Sequence, residues 1–328
     1  MISIVIPSFR RGAKIEKTLR SIEAQALQPD EVIVVNDGGF FETTQYVHEH
    51  FPKVTVLDIA HGGAAIARNT GVKAARNAIV ALIDDDDTLR PEGLKLLYET
   101  LTTFPEARAA HGDNSFTHLG TGEHRERNNR DIPALSEKLA RITPLKSQAR
   151  AKLFGKNLYY AMLKGNLIQQ PWMFYRDIYL EVGGFQSGLV SADDWDLYLR
   201  ITRKYPVALT NELIGHQYAE PGRPHLTTDP RQRQGQMEAA RRQLVLAGWA
   251  DFRAVISLRK TLGGHHKALG DDHLQESPSD AWQEYWQSWL YWPFDTMVAL
   301  RTLLILPLRV AAHRISRSPK PVKQGPAS

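Results

Sequence analysis

The chain has 328 residues, 42% of them hydrophobic, and no cysteine. That composition fits a soluble globular protein of one large domain, or a domain with an appendage, and it excludes disulfides, thiolate metal sites and cysteine nucleophiles. The net charge of +5 is unevenly placed, with acidic clusters at 84–87 and 193–196 and basic residues crowding 123–156, 223–260 and 301–323. No uncharged apolar run approaches the ~20 residues of a membrane span. Met1 leads straight into Ile2-Ser-Ile-Val-Ile6 with no leader-like segment before it. A cytoplasmic protein is therefore expected.

In chain order, strand-like runs at Ile2–Pro7, Glu31–Asn36, Val54–Asp58 and Ala78–Ile83 alternate with helical periodicity at Ala13–Gln25, Thr43–Glu49, Ala64–Arg76 and Pro91–Thr102. Strands separated by helices of this length imply βαβ units and a mainly parallel sheet. Pro7-Ser8, Asn36–Gly39 and Asp84–Asp87 then gather on one edge. Residues 105–165 are less regular, with a helical pattern over Leu135–Phe154. A strand is expected at Ile168–Arg176, a turn at Val182–Phe185, and a helix over Ser191–Tyr205 with Ser191 as its cap. Another helix is expected from Met237 to Lys260, broken by Gly263-Gly264-His265-His266. From 278 the chain is rich in Trp and Tyr, then apolar over Met297–Ala312, then basic to Ser328.

Four consecutive aspartates, Asp84 to Asp87, end the fourth strand. Packed together they repel one another, and a hard divalent cation would turn that cost into a binding site. The bland alternative is a solvated acidic turn. Open α/β sheets bind ligands at the carboxyl ends of their strands, which points to a metal and a phosphorylated ligand at this edge.

Four strand-end segments and one distant helix start carry a family pattern: Val5-Ile-Pro-Ser-Phe-Arg10, Val34-Val-Asn-Asp-Gly-Gly39, Gly62-Gly-Ala-Ala-Ile-Ala-Arg-Asn-Thr-Gly71, Leu82-Ile-Asp-Asp-Asp-Asp-Thr-Leu89 and Ala192-Asp-Asp-Trp-Asp-Leu197. In this order they resemble family two glycosyltransferases of the GT-A fold, over about residues 1–215. The resemblance implies a Rossmann-like, mainly parallel α/β sheet flanked by helices. The GT-A domain would cover 1–225, and a helical extension with an aromatic and basic tail 226–328.

By the same resemblance, Pro7, Ser8 and Phe9 bind the nucleoside, and Asp37 accepts a hydrogen bond from the base. Ser-Phe-Arg departs from the family's Thr-Tyr-Asn, so Phe9 can wall a base but offers it no hydroxyl. Asp37 can equally close an Asx turn with Gly38 and Gly39. Arg68 lies near the diphosphate, Asp84 near the ribose, and Asp86 ligates Mn²⁺ or Mg²⁺. With four aspartates the register can slip by one, bringing Asp85 or Asp87 to the ligand. His216 is a further candidate metal ligand, with His225 its competitor. Asp194 is the implied general base, although Ser191-x-x-Asp194 also spells a capping box.

The expected function is an inverting, metal-assisted transfer of a sugar from a nucleotide-diphospho-sugar donor, UDP-linked, to a saccharide or lipid-linked hydroxyl acceptor in cell-surface glycan or glycolipid synthesis. A sugar nucleotidyltransferase would need a longer glycine-rich loop than Ser8–Gly12, and a non-catalytic nucleotide-sugar scaffold would not need both acidic motifs. Nucleic acid is not an expected partner, because the aromatic residues cluster in the tail instead of interleaving with a basic β-surface. The tail itself suits either a lipid surface or packing against its own domain.

Overall fold

A computed structural model describes residues 1–125, 139–168, 170–189, 191–219, 232–248, 250–274, 277–295, 298–299 and 302. The chain divides into two compact units, Met1–Ala239 and Ala240–Ser328.

In the first unit the strands are β1 (Ile2–Ser8), β2 (Glu31–Asp37), β3 (Thr55–Ile59), β4 (Ile79–Leu82), β5 (Thr88–Leu89), β6 (Ala109–His118), β7 (His124–Arg125), β8 (Lys146–Ser147), β9 (Lys152–Phe154), β10 (Trp172–Tyr175) and β11 (Val207–Ala219). The helices are α1 (Glu16–Glu23), α2 (Phe41–His50), α3 (Ala64–Ala74), α4 (Gly93–Thr103), α5 (Lys156–Met162), α6 (Arg176–Glu181) and α7 (Asp193–Lys204). Helix α8 (Gln232–Ala247) starts in this unit, and α9 (Phe252–His273) and α10 (Pro278–Tyr291) belong to the second.

All the strands join one sheet in the order β3-β2-β1-β4-β10-β6-β11-β9-β8, with β5 on β11 and β7 on β6. The pairs β3-β2, β2-β1 and β1-β4 are parallel. Strand β10 then runs antiparallel to both β4 and β6, and β6 and β11 are parallel again. The α/β GT-A plan thus has a parallel donor half and a mixed second half. Every residue of β1 is buried, as expected for a strand covered on both faces, which reads as an unbroken apolar run.

Helix α3 sits unusually close to that sheet. A Cβ on Gly71 would collide with Val5, and would lie 3.0 Å from Val35. Arg68 is three residues earlier, on the same helix face, so the close approach at Gly71 carries Arg68 down to the sheet edge.

Several expectations change. The strand expected at Ile168–Arg176 begins only at Trp172, because Pro171 has no N–H to give to a ladder. The helical pattern expected over Leu135–Phe154 gives the β8–β9 hairpin at its end, and 126–138 lie outside the described residues. The helix expected over Met237–Lys260 is two helices, parted where Gly248 turns with φ +56 and Asp251 caps α9 by accepting from Ala254 N–H at 3.2 Å. Gly263 and Gly264 do not break α9. Gly263 is a notch that admits the α10 end, where an added Cβ would meet the Trp292 side chain at 2.8 Å. The first unit runs past residue 225 because α8 begins against it: Gly235 abuts Ser191, whose hydroxyl donates to the Gln232 carbonyl at 3.2 Å.

Gly71→Ala should cost about 1–3 kcal/mol, the range for overpacking a tight contact. Urea unfolding measures it, and a change under about 0.5 kcal/mol would mean that α3 can lift off the sheet freely.

Candidate active site

The carboxyl ends of β1, β2 and β4 lie side by side, with Ser8 opposite Asn36 and Val5 opposite Leu82. The chain leaves β4 through Asp84–Asp87, and the four side chains alternate: Asp84 and Asp86 are half-buried, Asp85 and Asp87 buried. Arg11 reaches back from the loop after β1 and pairs with both Asp85 Oδ1 and Asp86 Oδ2 at 2.9 Å. The other Asp85 oxygen accepts from the Phe9 N–H at 3.3 Å. Asp85, a candidate for the donor-binding edge, is a buried strut fixing the first loop to the acidic loop. Asp87 accepts from Gln217 Nε2 at 3.2 Å. Burial, reinforced by the charges of Asp84 and Asp86, pushes its pKa well above the usual carboxylate range.

Arg68 joins this loop to the distant helix. It pairs with Asp84 Oδ1 at 2.7 Å and with Asp193 Oδ2 at 3.5 Å. Burial works against its charge, but the two carboxylates outweigh burial and hold it more firmly protonated than a free arginine. The next residue, Asn69, ties α3 to the turn before α7. Its Oδ1 accepts from Phe185 N–H at 2.9 Å and from Tyr179 OH at 2.5 Å, and its Nδ2 donates to the Phe185 carbonyl at 2.8 Å. Arg200, paired with Asp196 at 2.8 Å, donates to the Val182 and Gly184 carbonyls of the same turn.

Asp194 stands at the start of α7. The helix is not capped by a side chain: its N-cap is Ala192, a non-glycine residue at φ +61. Left-handed backbone at such a residue is strained and marks functional sites more often than chance. The capping box of Ser191 and Asp194 does not form, since Ser191 is buried and turned to Gln232. Asp194 Oδ1 accepts from Trp195 N–H at 2.7 Å and Oδ2 from Asn166 Nδ2 at 2.9 Å. Trp195 is anchored in turn, its Nε1 donating to the Met162 carbonyl at 2.8 Å. Burial first, then the Asp193 charge, raise the Asp194 pKa to about 7, while Trp195 N–H and Arg68 pull it down. A carboxylate poised near 7 is suited to general-base work.

On the nucleoside side, Pro7 and Ser8 are buried within the sheet, so they shape the loop while Phe9, 37% exposed, faces outward. The Phe9 ring stacks on His61 at 4.6 Å and meets Phe40 edge-on at 5.2 Å. The Asp37 oxygens accept from Gly62 N–H at 2.7 Å, Gly63 N–H at 2.9 Å and His61 Nδ1 at 2.9 Å. Asp37 therefore holds the 61–63 turn, whose His61 ring packs on Phe9.

His216 is not brought to the aspartates. Its Nδ1 meets Ser115 Oγ at 2.5 Å and its Nε2 meets Thr117 Oγ1 at 2.9 Å. Strand alternation turns the next residue, Gln217, toward Asp87 instead. His225 lies outside the described residues. The sequence reading missed Arg11, Asn166, His61 and Gln217. Only Arg11 left a signal, a cation four residues after Pro7 with four carboxylates to meet across the edge.

Replacing Arg68 by Met should destabilise the protein by about 3–5 kcal/mol, the cost of stranding buried carboxylates. It should also move the pH midpoint of any Asp194-dependent activity upward, since Arg68 lowers that pKa. Denaturant melts and a pH–rate profile read the two effects, and an unmoved profile would disconnect Arg68 from Asp194.

Residues 3–163 match the family model described as Glycosyl transferase family 2. The uncharacterized glycosyltransferase YwdF of Bacillus subtilis (strain 168) is 29% identical over 211 residues, 63% of this chain and 69% of YwdF. The succinoglycan biosynthesis protein ExoW of Rhizobium meliloti (strain 1021) is 29% identical over 133 residues, 37% of this chain and 42% of ExoW. The crystal structure of S. aureus TarS 1–349 in complex with UDP-GlcNAc superposes with a TM-score of 0.62 at 15% identity, covering 97% of this chain and 93% of that one, a likeness of fold. With the strand-end motifs in family order and the GT-A sheet that gathers them, residues 3–163 of this chain are a glycosyl transferase family 2 domain.

Proposed function

We propose that this protein is an inverting transferase that moves a sugar from a nucleotide-diphospho-sugar, UDP-linked, to a hydroxyl group of a saccharide or lipid-linked acceptor. The observation that carries the reading is the Asp194 carboxylate, tuned to about 7 and coupled through Arg68 to the acidic loop. In the reaction, Asp194 takes the proton of the acceptor hydroxyl as that oxygen bonds to the anomeric carbon. The bond from that carbon to the phosphate oxygen breaks on the opposite face, its electron pair leaves with the nucleoside diphosphate, and the configuration inverts. Asn166 orients the Asp194 carboxylate for this. The partly exposed Phe9 ring, packed against His61 and Phe40, offers a flat face for the base. The TarS complex with UDP-GlcNAc supports the donor class, and the name of ExoW supports a setting in polysaccharide synthesis.

The acidic loop fits a divalent cation of one kind. Among the described residues no three His, Asp or Glu side chains group as a metal cage. Magnesium-type sites, however, use one or two carboxylates and complete their shell with substrate phosphates and water. Arg11 and Arg68 set two cations against the four carboxylates of the loop, which leaves it with more acidic than basic charge. Asp86 and Asp84, the two partly exposed members, are the carboxylates that would hold Mn²⁺ or Mg²⁺, whose chemistry there is to offset charge on the departing diphosphate.

UDP should therefore stabilise the protein clearly with Mn²⁺ and weakly with chelator, by roughly 2.7 kcal/mol at 100 times its dissociation constant. Asp86→Ala should abolish that metal-dependent gain. Asp85→Ala should instead lower the melting temperature of the ligand-free protein. Equal stabilisation by UDP in chelator, or a larger metal effect from Asp85→Ala, contradicts this assignment.

Asp194→Asn separates function from stability. As a base substitution it should lower turnover by about 10²-fold or more. A carboxyl whose pKa is raised on folding binds more protons folded than unfolded between about 4 and 7, so its ionisation lowers stability as pH rises through that window. The Asn variant escapes this loss and should melt no lower than wild type at pH 8. Turnover within a few-fold of wild type removes Asp194 as the base.

A further inference from the structure

The aromatic run of the tail does not form an open surface. Helix α10 buries Tyr285, whose hydroxyl donates to Asp271 of α9, and Trp282 and Trp289 pack on the cluster of Ala281, Tyr285 and Val298. Trp282 Nε1 donates to the Thr302 carbonyl at 3.0 Å. Of the two readings open from the sequence, packing within the unit is the one these residues adopt.

Besides Leu290 and Phe294 near the end of α10, the unit exposes large apolar side chains on either side of the turn between α8 and α9. Val245 is 82% exposed, Leu246 50%, Phe252 67% and Ile256 38%. They are not strays from an incomplete core: the inward face of α9 is filled by Ala254, Val255, Leu258 and Leu262. Four large apolar side chains held out by two adjacent helix ends are characteristic of a contact surface.

The charge around them selects its partner. Around the turn itself Arg241, Arg242, Arg253 and Lys260 outnumber the acids Glu238 and Asp251, and the Asp251 carboxylate accepts from the α9 backbone at Ala254. A second copy of this surface would bring like charges together. An anionic bilayer offers both complements, acyl chains for the apolar tips and phosphates for the cations.

We propose that the α8–α9 turn is a membrane-docking surface, inserting Val245, Leu246, Phe252 and Ile256 into the interface of an anionic bilayer while Arg253, Lys260 and their neighbours meet the headgroup phosphates. This goes beyond the transferase reading and does not depend on it.

The test is co-sedimentation of the full chain with vesicles of phosphatidylcholine containing 30% phosphatidylglycerol, against vesicles of phosphatidylcholine alone. Binding is expected to the anionic vesicles, to weaken at 0.5 M salt as exposed charges are screened, and to fall by about tenfold or more in Val245→Ser/Phe252→Ser, since each buried methylene contributes to interfacial affinity. These side chains are exposed, so the variant should melt as wild type does. A second measurement is independent of affinity. The chain has no cysteine, so Phe252→Cys takes a single polarity-sensitive fluorophore, whose emission should shift to the blue on anionic vesicles. Absence of sedimentation, unchanged binding by the double variant, or an unshifted emission overturns the proposal. So does a wild-type dimer that the double variant converts to monomer without affecting vesicle binding, which would give the surface to a second copy.

Discussion

A buried guanidinium between two carboxylates organises the first unit. Arg68 is on α3, Asp84 on the loop after β4, and Asp193 at the start of α7, so one side chain ties together parts of the chain that are far apart in sequence. Isolated, each of the three charges would be expensive to bury. Together they offset one another, and the geometry that allows this is set by Gly71, which seats α3 directly on Val5 and Val35. The bridge also couples the two halves of the chemistry electrostatically. Asp84 and Asp193 raise the Asp194 pKa and Arg68 lowers it, so the proton affinity of the proposed base depends on the state of the acidic loop.

The acidic loop shows how a sequence motif divides into roles once it folds. Four identical side chains in a row alternate between facing out and facing back. Those facing back are consumed by the protein: Asp85 by Arg11 and the Phe9 N–H, Asp87 by Gln217. Those facing out are also paired, Asp84 with Arg68 and Asp86 with Arg11, but each keeps part of its carboxylate toward solvent. Asp37 also has a role inside the protein, since its oxygens hold the 61–63 turn and so place His61 against Phe9. A carboxylate at a sheet edge is as useful for fixing a loop as for touching a substrate, and the residue type alone does not separate the two.

The parallel half of the sheet was legible in the sequence because each strand there is a continuous apolar run ended by turn residues, and the motifs fall at its strand ends. The start of α7 was legible for the same reason. The cap at Ser191 was not, because the spacing that spells a capping box says nothing of Ala192 turning left-handed or of Ser191 being claimed by Gln232. The facing of His216 was not legible for a related reason: a bulged strand such as β11 shifts register between Leu209 and Gly215, and with period-two alternation a one-residue slip exchanges faces. Asn166 and Gln217 left no signal at all, since an amide that orients a carboxylate is chosen by tertiary position. In the second unit, the tail's aromatic density left a surface and packing equally open, and α10 buries Tyr285 with Trp282 and Trp289 packed partly against it.

The proposed chemistry rests on the proton affinity of one carboxyl group. A ¹³C-detected titration of the aspartate side-chain carboxyls in the ligand-free protein, with the Asp194 resonance identified by its loss in Asp194→Asn, measures it directly. Burial and the neighbouring Asp193 charge predict a midpoint near 7. A midpoint near 4, the value of a solvated aspartate, would contradict the tuned base and leave Asp194 as one more acidic residue in the first turn of a helix.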